Sequence, residues 1–215
     1  MSFETILNKE KKRVTRRINE ILEVDDFVFN VEYLMDIHKY LFSGVLLGAG
    51  NFRNCNLTRK EIILNGDSVK YADYMRILLY LEYDFENEKT IDYRHLSMEQ
   101  LIKRIASYTS RMWLVHPFRD GNTRTVSVFI QKYLQYLGYD INNDIFRENS
   151  KYFRNALVLS GYCNSTLNIN FDYRPLVKFF EKILIDQNII LSDDDLIIKE
   201  LFTTENNSYR KVLKK

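Results

Sequence analysis

The chain has 215 residues, of which 46% are hydrophobic, and it contains seven Gly and two Pro. This size suits one ordinary domain with a substantial core, and the composition excludes collagen-like, low-complexity and Pro-rich disordered proteins. The 31 Lys and Arg nearly balance the 29 Asp and Glu, which argues against a function that rests on a strongly basic surface, as in many nucleic-acid-binding proteins.

The cysteine content and the hydrophobic runs indicate a cellular compartment. Cys55 and Cys163 are too few for a disulfide framework or a four-thiolate metal site, so we expect ordinary thiols in a reducing compartment. No apolar run approaches the roughly 20 residues that span a bilayer, and the N terminus lacks a signal-peptide core. A cytoplasmic protein without a membrane partner is therefore expected.

Residues 1–29 have the pattern of a basic amphipathic helix. The apolar stripe consists of Leu7, Val14, Ile18 and Ile21, and the basic positions are Lys9, Lys11, Lys12, Arg13, Arg16 and Arg17. We interpret this segment as a helix that packs on the domain, and contact with an acidic partner is the alternative.

A second helix and a hairpin are predicted next. Apolar residues at helical spacing run from Val31 to Phe42. Residues 62–64 and 68–70 then flank Asn65-Gly66, a pair that readily takes the positive φ angles of a tight hairpin turn. The sequence therefore predicts one small β-hairpin, which is the only β structure expected in the chain.

Most of the remaining chain is predicted to be helical. A capping box from Ser97 to Gln100 begins one helix, and Pro117 ends that helix at His116. Further helices are expected over residues 72–83, from Asn122 to Leu137 with Gly138 as its stop, and from starts at Ser150, Asp172 and Ser192. The predicted fold class is therefore all-α with one small hairpin.

Between two of these helices lies the segment His116-Pro117-Phe118-Arg119-Asp120-Gly121-Asn122-Thr123-Arg124. The free N–H groups and the dipole of a helix N terminus favour an anion, and Arg124 can add bidentate contacts to a phosphate. Asp120 is a hard oxygen ligand that suits Mg²⁺, and an imidazole such as His116 can take a proton from a hydroxyl. The segment predicts a phosphate and metal site with a base beside it.

This segment resembles the signature of the Fic family, His-x-Phe-x-(Asp/Glu)-Gly-Asn-Gly-Arg-x-x-Arg. The resemblance covers residues 30–188. Residues 37–42 and 49–53, with Asn56, are similar to the stretch upstream of the family's site. Residues 62–72 are similar to its target-docking flap, and residues 173–176, with Phe179 and Phe180, to its closing helix.

The resemblance implies an all-α Fic core at residues 30–188, preceded by the helix at 1–29 and followed by a helical extension at 189–215 that is a candidate regulatory element. It also implies an Mg²⁺-dependent protein adenylyltransferase that transfers AMP from ATP to a Tyr, Ser or Thr hydroxyl of a target protein.

The resemblance also assigns roles by position. His116 would deprotonate the hydroxyl for attack on the α-phosphate, Asp120 would hold Mg²⁺, and Phe118 would anchor the loop in the core. Gly121, Asn122 and Thr123 would form the anion cradle, in which Asn122 steadies the α-phosphate and Arg124 binds the phosphates. The flap residues Ile62, Ile63, Leu64, Asn65 and Gly66 would pair with an extended target segment by main-chain hydrogen bonds; a hairpin that only covers the core is the alternative.

The chain departs from the family pattern at two positions. Thr123 replaces a Gly, and Ser127 replaces the second Arg, which in the family engages the γ-phosphate and pairs with an inhibitory Glu. Family members can be inhibited by a helix with the pattern (Ser/Thr)-x-x-x-Glu-(Gly/Asn), in the chain itself or on a small antitoxin. Glu205-Asn206 matches only the last pair, because Leu201 stands at the Ser/Thr position. Glu205 is therefore a hypothetical self-inhibitor, and an exposed terminal charge is the alternative.

Three other functions stay open at this point. A Doc-like phosphotransferase would bind the nucleotide reversed, but Doc-type loops carry Lys where this chain has Thr123. A Fic-like protein-binding module would explain Ser127 as a sign of decay. A nucleic-acid-binding helical protein has only the basic N-terminal face in its favour.

Overall fold

A computed structural model describes residues 3–202, which contain eight α-helices. They are α1 (Phe3–Glu23), α2 (Val31–Phe42), α3 (Ile77–Lys89), α4 (Met98–Val115), α5 (Asn122–Tyr136), α6 (Asn143–Glu148), α7 (Ser150–Ser160) and α8 (Arg174–Leu184). Single 3₁₀ turns lie at Ile62–Leu64, Tyr74–Arg76, Tyr93–His95, Asp193–Leu196 and Lys199–Leu201. The all-α prediction is confirmed, and none of the described helices is both long and apolar enough to cross a bilayer.

Helix α4 begins and ends where the capping box and Pro117 predict. The Ser97 hydroxyl accepts from the Gln100 N–H at 3.2 Å, and the Gln100 side chain accepts from the Ser97 N–H at 2.9 Å, which completes the capping box. The helix ends at Val115, and His116 takes the left-handed conformation with φ 49° and ψ 57°. The chain therefore turns sharply just before Pro117.

Helices α4 and α5 form the centre of the molecule. Helix α4 packs against α3, α5, α7 and α8, while α5 packs against α1, α2 and α4. Large side chains such as Tyr108, Trp113 and Phe129 are completely enclosed between them. The loop of residues 116–121, which joins the two helices, is consequently held by the core at both ends.

Helix α1 lies on α2 and α5, and its own residue Val14 is buried in the core. The buried Lys132 ammonium of α5 donates to the carbonyls of Ile21 and Val24 at the end of α1, and to the Asp26 carboxylate at 2.8 Å. Arg17 donates to the Ser43 carbonyl at 2.8 Å, beyond the end of α2. These contacts fasten α1 to the two helices below it.

The predicted hairpin is not confirmed. Residues 60–68 form a tight loop closed by one isolated antiparallel bridge between Lys60 and Ser68, and Ile62–Leu64 is a 3₁₀ turn where a strand was expected. The turn residues do take the expected positive φ angles, 53° at Asn65 and 88° at Gly66. Consecutive strand residues point to opposite faces, whereas the consecutive Ile63 and Leu64 are both buried, so the chain curls to bring both into the core.

Candidate active site

The loop between α4 and α5 lies on the wall of a cleft of about 470 Å³. The cleft is lined by six residues that the sequence singles out: His116, Asp120, Gly121, Asn122, Thr123 and Arg124. Two aromatic residues, Tyr71 and Trp113, and three cations, Arg59, Lys151 and Arg154, complete most of its wall. The structure therefore brings the predicted base, carboxylate and anion cradle together in one space.

The His116 ring is held between two aromatic rings and is only 4% exposed. It stacks on Tyr71, with centroids 3.9 Å apart, and meets Trp113 edge-on at 5.4 Å. Its Nδ1 atom has no hydrogen-bond partner among the described residues. Burial lowers the pKa of His116 to about 3, with a further contribution from the Arg59 charge, so the ring is neutral and available as a proton acceptor.

The backbone of His116 is held in place by the buried guanidinium of Arg53. Its Nε donates to the His116 carbonyl at 2.8 Å, and its Nη1 donates to the Cys55 carbonyl at 2.7 Å. Nη2 donates to the carbonyls of Ala72 and Val115. The sequence places Arg53 in a stretch similar to the family's upstream segment, but nothing in the pattern predicts this role.

A second histidine fixes the other side of the loop. His38 accepts from the Gly50 N–H at Nδ1, 2.8 Å away, so its Nε2–H donates to the Asp120 carbonyl at 3.0 Å. The ring stacks on Phe118 with centroids 3.8 Å apart, and burial lowers the pKa of His38. His38 is therefore a neutral structural bridge, and Phe118 points into the core as expected.

The side chain of Asn122 closes the loop on itself. Its Oδ1 accepts from the Phe118 N–H at 2.9 Å, and its Nδ2 donates to the Phe118 carbonyl at 2.7 Å. Gly121, just before it, has φ +77°, and a Cβ there would lie 2.5 Å from the Phe42 ring. Both residues are consequently needed to make the turn.

The N terminus of α5 opens onto the cleft with unused donors. The first backbone bond within this turn runs from the Thr125 N–H to the Gly121 carbonyl at 3.0 Å. The N–H groups of Asn122, Thr123 and Arg124 have no acceptor within the helix. The Arg124 guanidinium lies 4.6 Å above the centre of the Phe42 ring, which positions its charge beside these groups.

The carboxylate of Asp120 suits a cation that is shared with phosphates. Its side chain is 58% exposed, its Oδ1 accepts from the Gly121 N–H at 2.7 Å, and Arg59 lies 3.9 Å away. The described residues hold no group of three or more His, Cys, Asp or Glu that could bind a metal by themselves. Magnesium typically uses one or two carboxylates together with substrate phosphates, so one exposed carboxylate beside an anion cradle fits it.

The positive charge of the cleft was only partly predicted. Arg124 was expected, whereas Arg59 precedes the 60–68 loop, and Lys151 and Arg154 come from α7. Four cations therefore face one carboxylate, Asp120, which favours a highly charged anion. No motif in the sequence marks the two α7 residues, because only the packing of α7 brings them to the loop.

Comparison with known proteins identifies the domain. The profile of the Fic/DOC family matches residues 28–134, which include the loop and nearly all of α5. The chain contains a Fic/DOC family domain. The protein adenylyltransferase VbhT of Bartonella schoenbuchensis is 29% identical over 154 residues, which are 70% of this chain but only 30% of VbhT.

Solved Fic domains share the fold. The N-terminal Fic domain of Bep8 from Bartonella sp. 1-1C aligns with a TM-score of 0.66 and 21% identity over 88% of this chain and 89% of that one. BepC from Bartonella tribocorum with bound AMPPNP aligns with a TM-score of 0.61 and 20% identity, over 82% of this chain and 86% of BepC. A Bartonella quintana Fic domain with bound ADP aligns with a TM-score of 0.66 and 21% identity, over 85% of this chain and 86% of that domain. At these identities the likeness shows a common fold.

The two departures from the Fic pattern have a visible structural setting. The Thr123 hydroxyl accepts from the Trp113 indole N–H at 3.0 Å, which ties the start of α5 to the end of α4. Ser127 lines a smaller cavity of about 200 Å³ next to Arg124, beneath α1. Its hydroxyl accepts from the buried Gln131 amide at 3.4 Å. A neutral polar pair therefore stands where the family pattern has a cation.

The residues expected to dock a target occupy the 60–68 loop of the Fic domain. Ile62, Asn65 and Gly66 are exposed, whereas Ile63 and Leu64 are buried. The Asn65 amide donates to the Leu201 carbonyl at 3.1 Å, so the end of the described chain lies against this loop. Glu205, the hypothetical inhibitor, lies outside the described residues.

Proposed function

We propose that this Fic domain transfers AMP from ATP to a Tyr, Ser or Thr hydroxyl of a target protein. The observation that carries the proposal is the neutral, enclosed His116 ring on the same cleft wall as a helix N terminus and four cations. The name of VbhT, protein adenylyltransferase, supports the same reaction. A cleft with this charge suits a nucleoside triphosphate, and its base suits a hydroxyl nucleophile.

The reaction assigns one task to each group. His116 takes the proton of the target hydroxyl, whose oxygen bonds to the α-phosphorus while the bond to pyrophosphate breaks. The N–H groups at the start of α5 and the Arg124 guanidinium bind phosphate oxygens and offset their charge. The Asn122 side chain is occupied by Phe118, so its contribution to the cradle is its backbone N–H.

Magnesium belongs to the proposal through Asp120. Asp120 would hold Mg²⁺ together with the nucleotide, and the ion would supply positive charge that offsets the charge of the phosphates. Asp120 can accept it because its carboxylate is exposed and its backbone is held by His38. The weak contact with Arg59, at 3.9 Å, is easily given up.

Nucleotide binding should also strengthen the base. Burial and nearby guanidinium groups lower the pKa of His116. An incoming triphosphate adds negative charge beside the ring and compensates the same guanidinium groups, which favours the protonated form. The ring therefore becomes a better proton acceptor when the substrate is in place.

The target is proposed to dock on the 60–68 loop. This loop lies beside Arg59 and Arg154 of the cleft wall and exposes the Ile62 side chain and the Asn65-Gly66 turn. An extended segment that pairs with its backbone would bring a hydroxyl to His116 with little demand on the target's side chains.

A Doc-like phosphotransferase is the second candidate. It is favoured by one observation: the neutral Ser127 and Gln131 stand where the family pattern has the Arg that engages the γ-phosphate, although Arg147 of α6 also lines this cavity. In that reading the nucleotide lies reversed, and the γ-phosphate faces His116.

Labelled ATP separates the candidates. The purified protein is incubated in a cell lysate with Mg²⁺ and ATP labelled at the α- or the γ-phosphate, and the His116→Ala variant gives the background. We expect label on protein from the α position alone. Transfer from the γ position alone would establish the phosphotransferase, and transfer from neither would leave a protein-binding module.

Inhibition by Glu205 is a separate hypothesis. Leu201 lies against Asn65, so the chain leaves the described region beside the docking loop. Comparing AMP transfer by the Glu205→Gly variant and the wild type tests the idea. A rise supports self-inhibition, and an unchanged rate leaves a separate antitoxin chain as the inhibitor to look for.

A further inference from the structure

A buried ion pair connects the 60–68 loop to helix α7. Glu61 is 3% exposed, and its two carboxylate oxygens lie 2.9 and 2.7 Å from Nη2 of Arg154. A buried carboxylate needs a compensating charge, and removing one partner of such a pair is strongly destabilising. Glu61 therefore depends on Arg154.

The same guanidinium faces the cleft. Arg154 lines the space that holds His116 and Arg124, and its side chain is 38% exposed. Both contacts to Glu61 use Nη2, whereas a guanidinium has five N–H donors in a fixed planar arrangement. Nε and Nη1 can thus bind a second anion without loss of the first.

Two other side chains of the 60–68 loop, Asp67 and Asn65, are held by groups that do not line the cleft. The Asp67 carboxylate accepts from the Tyr162 hydroxyl at 2.7 Å, and Asn65 contacts a backbone carbonyl. Arg59 lines the cleft but donates to the Arg119 carbonyl at 2.7 Å, in the motif loop. The salt bridge of Arg154 therefore joins the cleft to a carboxylate of the 60–68 loop itself.

We propose that Arg154 is a positioning residue that joins the bound phosphates to the 60–68 loop. Nucleotide binding then tightens the loop through Glu61, so the nucleotide binds first and the target docks on a loop already set beside His116. This inference rests on the proposed function, because it needs a polyphosphate in the cleft.

Hydrogen exchange of the full chain, followed by mass spectrometry, tests the coupling. Peptides that cover residues 59–70 are compared with and without Mg²⁺ and the non-hydrolysable analogue AMPPNP, whose affinity is measured by calorimetry. In the wild type we expect the analogue to slow exchange in this segment about tenfold.

Variants separate the two contacts of Arg154. Glu61→Gln should bind AMPPNP within about twofold of the wild type, because the cleft cation remains, but should lose the slowing of exchange. The double variant Glu61→Gln/Arg154→Gln removes both charges without leaving one buried alone, and it should lose the slowing and also bind more weakly. Arg174→Gln, which removes an exposed Arg paired with Asp172, is the control and should match the wild type.

The outcomes are distinct. AMPPNP that binds the wild type without slowing exchange, or slowing that persists in Glu61→Gln, overturns the coupling and leaves the proposed AMP transfer untouched. Failure of AMPPNP to bind the wild type overturns both.

Discussion

At the scale of single residues, the proposed chemistry depends on one imidazole that is kept neutral. The His116 ring is enclosed by Tyr71 and Trp113 and is surrounded by guanidinium groups. A proton on this ring would be both desolvated and repelled. His116 is therefore neutral at neutral pH, and the negative charge of bound phosphates would raise its affinity for a proton.

Removing this ring should slow AMP transfer strongly. We expect His116→Ala to lower the rate of AMP transfer by about 10²–10⁴, which is the usual contribution of a general base. His95→Ala is the matched control, because His95 is exposed, with 83% of its side chain accessible, and pairs locally with Asp92. Rates are measured with α-labelled ATP, and equal rates for the two variants would remove His116 from the mechanism.

The same pKa shift predicts how stability depends on pH. The pKa of His116 is about 3 in the native state against an ordinary value of 6.5, so between these values the unfolded chain binds a proton that the native state does not. The free energy of unfolding should therefore fall as the pH is lowered, by on the order of 2 kcal/mol between pH 7 and pH 5.

Urea unfolding of the wild type and His116→Gln at both pH values measures this contribution. The variant should lose that part of the pH dependence. If both proteins lose the same amount of stability on acidification, the native ring is protonated more easily than its burial implies.

At the scale of elements, the turn from α4 into α5 carries the site. Gly121 and Gly138 flank α5 and both have positive φ, +77° and +91°. A Cβ at Gly138 meets nothing within 4 Å, whereas one at Gly121 lies 2.5 Å from the buried Phe42 ring. A substitution at either glycine would strain the backbone, but only a side chain at Gly121 would also clash with a neighbouring residue.

Alanine at these two positions measures what the turn requires. Gly138→Ala should cost about 1 kcal/mol of unfolding free energy, the price of a left-handed non-glycine residue. Gly121→Ala should cost about 1–3 kcal/mol more and weaken nucleotide binding, because either the motif loop or Phe42 beneath Arg124 must move. Chemical denaturation and calorimetric titration with AMPPNP give the two quantities; similar values for both variants would contradict this account of Gly121.

The sequence predicts elements best where local chemistry decides them. The capping box at Ser97 and the stop at Pro117 are local, and both appear where expected. The Asn65-Gly66 pair predicts its φ angles, but the flanking residues form a 3₁₀ turn because burial of Ile63 and Leu64 is a tertiary requirement. Local propensity carries no information about that burial.

In the site, too, the sequence predicts the local features and misses those that depend on tertiary packing. The motif lies in one loop, so its residues are neighbours in any fold that keeps the loop intact. Arg53 bonds to this loop and Arg154 lines the same cleft, both from distant parts of the chain. A single sequence has no periodic signal for such placements. The side chain of Asn122 was assigned to phosphate from the motif, whereas its hydrogen bonds to Phe118 depend on the turn geometry.

At the scale of the whole molecule, α1 is joined to α5 by one buried ammonium. Lys132 of α5 is 2% exposed and donates to two carbonyls near the end of α1 and to Asp26. A positive group at a helix C terminus also interacts favourably with the helix dipole. Helices α1 and α5 therefore share a polar anchor besides their apolar contact.

Replacing this ammonium should loosen α1. We expect Lys132→Met to lower the unfolding free energy by about 1.5–3 kcal/mol, the range for hydrogen bonds to charged groups, and to speed hydrogen exchange in α1. Lys89→Met is the control, because Lys89 is exposed and pairs with Glu86 three residues away. Stability is measured by urea unfolding, and equal losses in the two variants would show that Lys132 contributes no more than a surface charge.

The buried Arg53 guanidinium has a consequence for ionic strength. Dissolved ions screen the exposed cations of the cleft, and the attraction that those cations exert on a nucleotide declines as salt is added. Arg53 is 3% exposed and held by carbonyl oxygens, so mobile counter-ions cannot approach it closely. Its charge contributes to lowering the pKa of His116, so that part of the shift should persist in concentrated electrolyte.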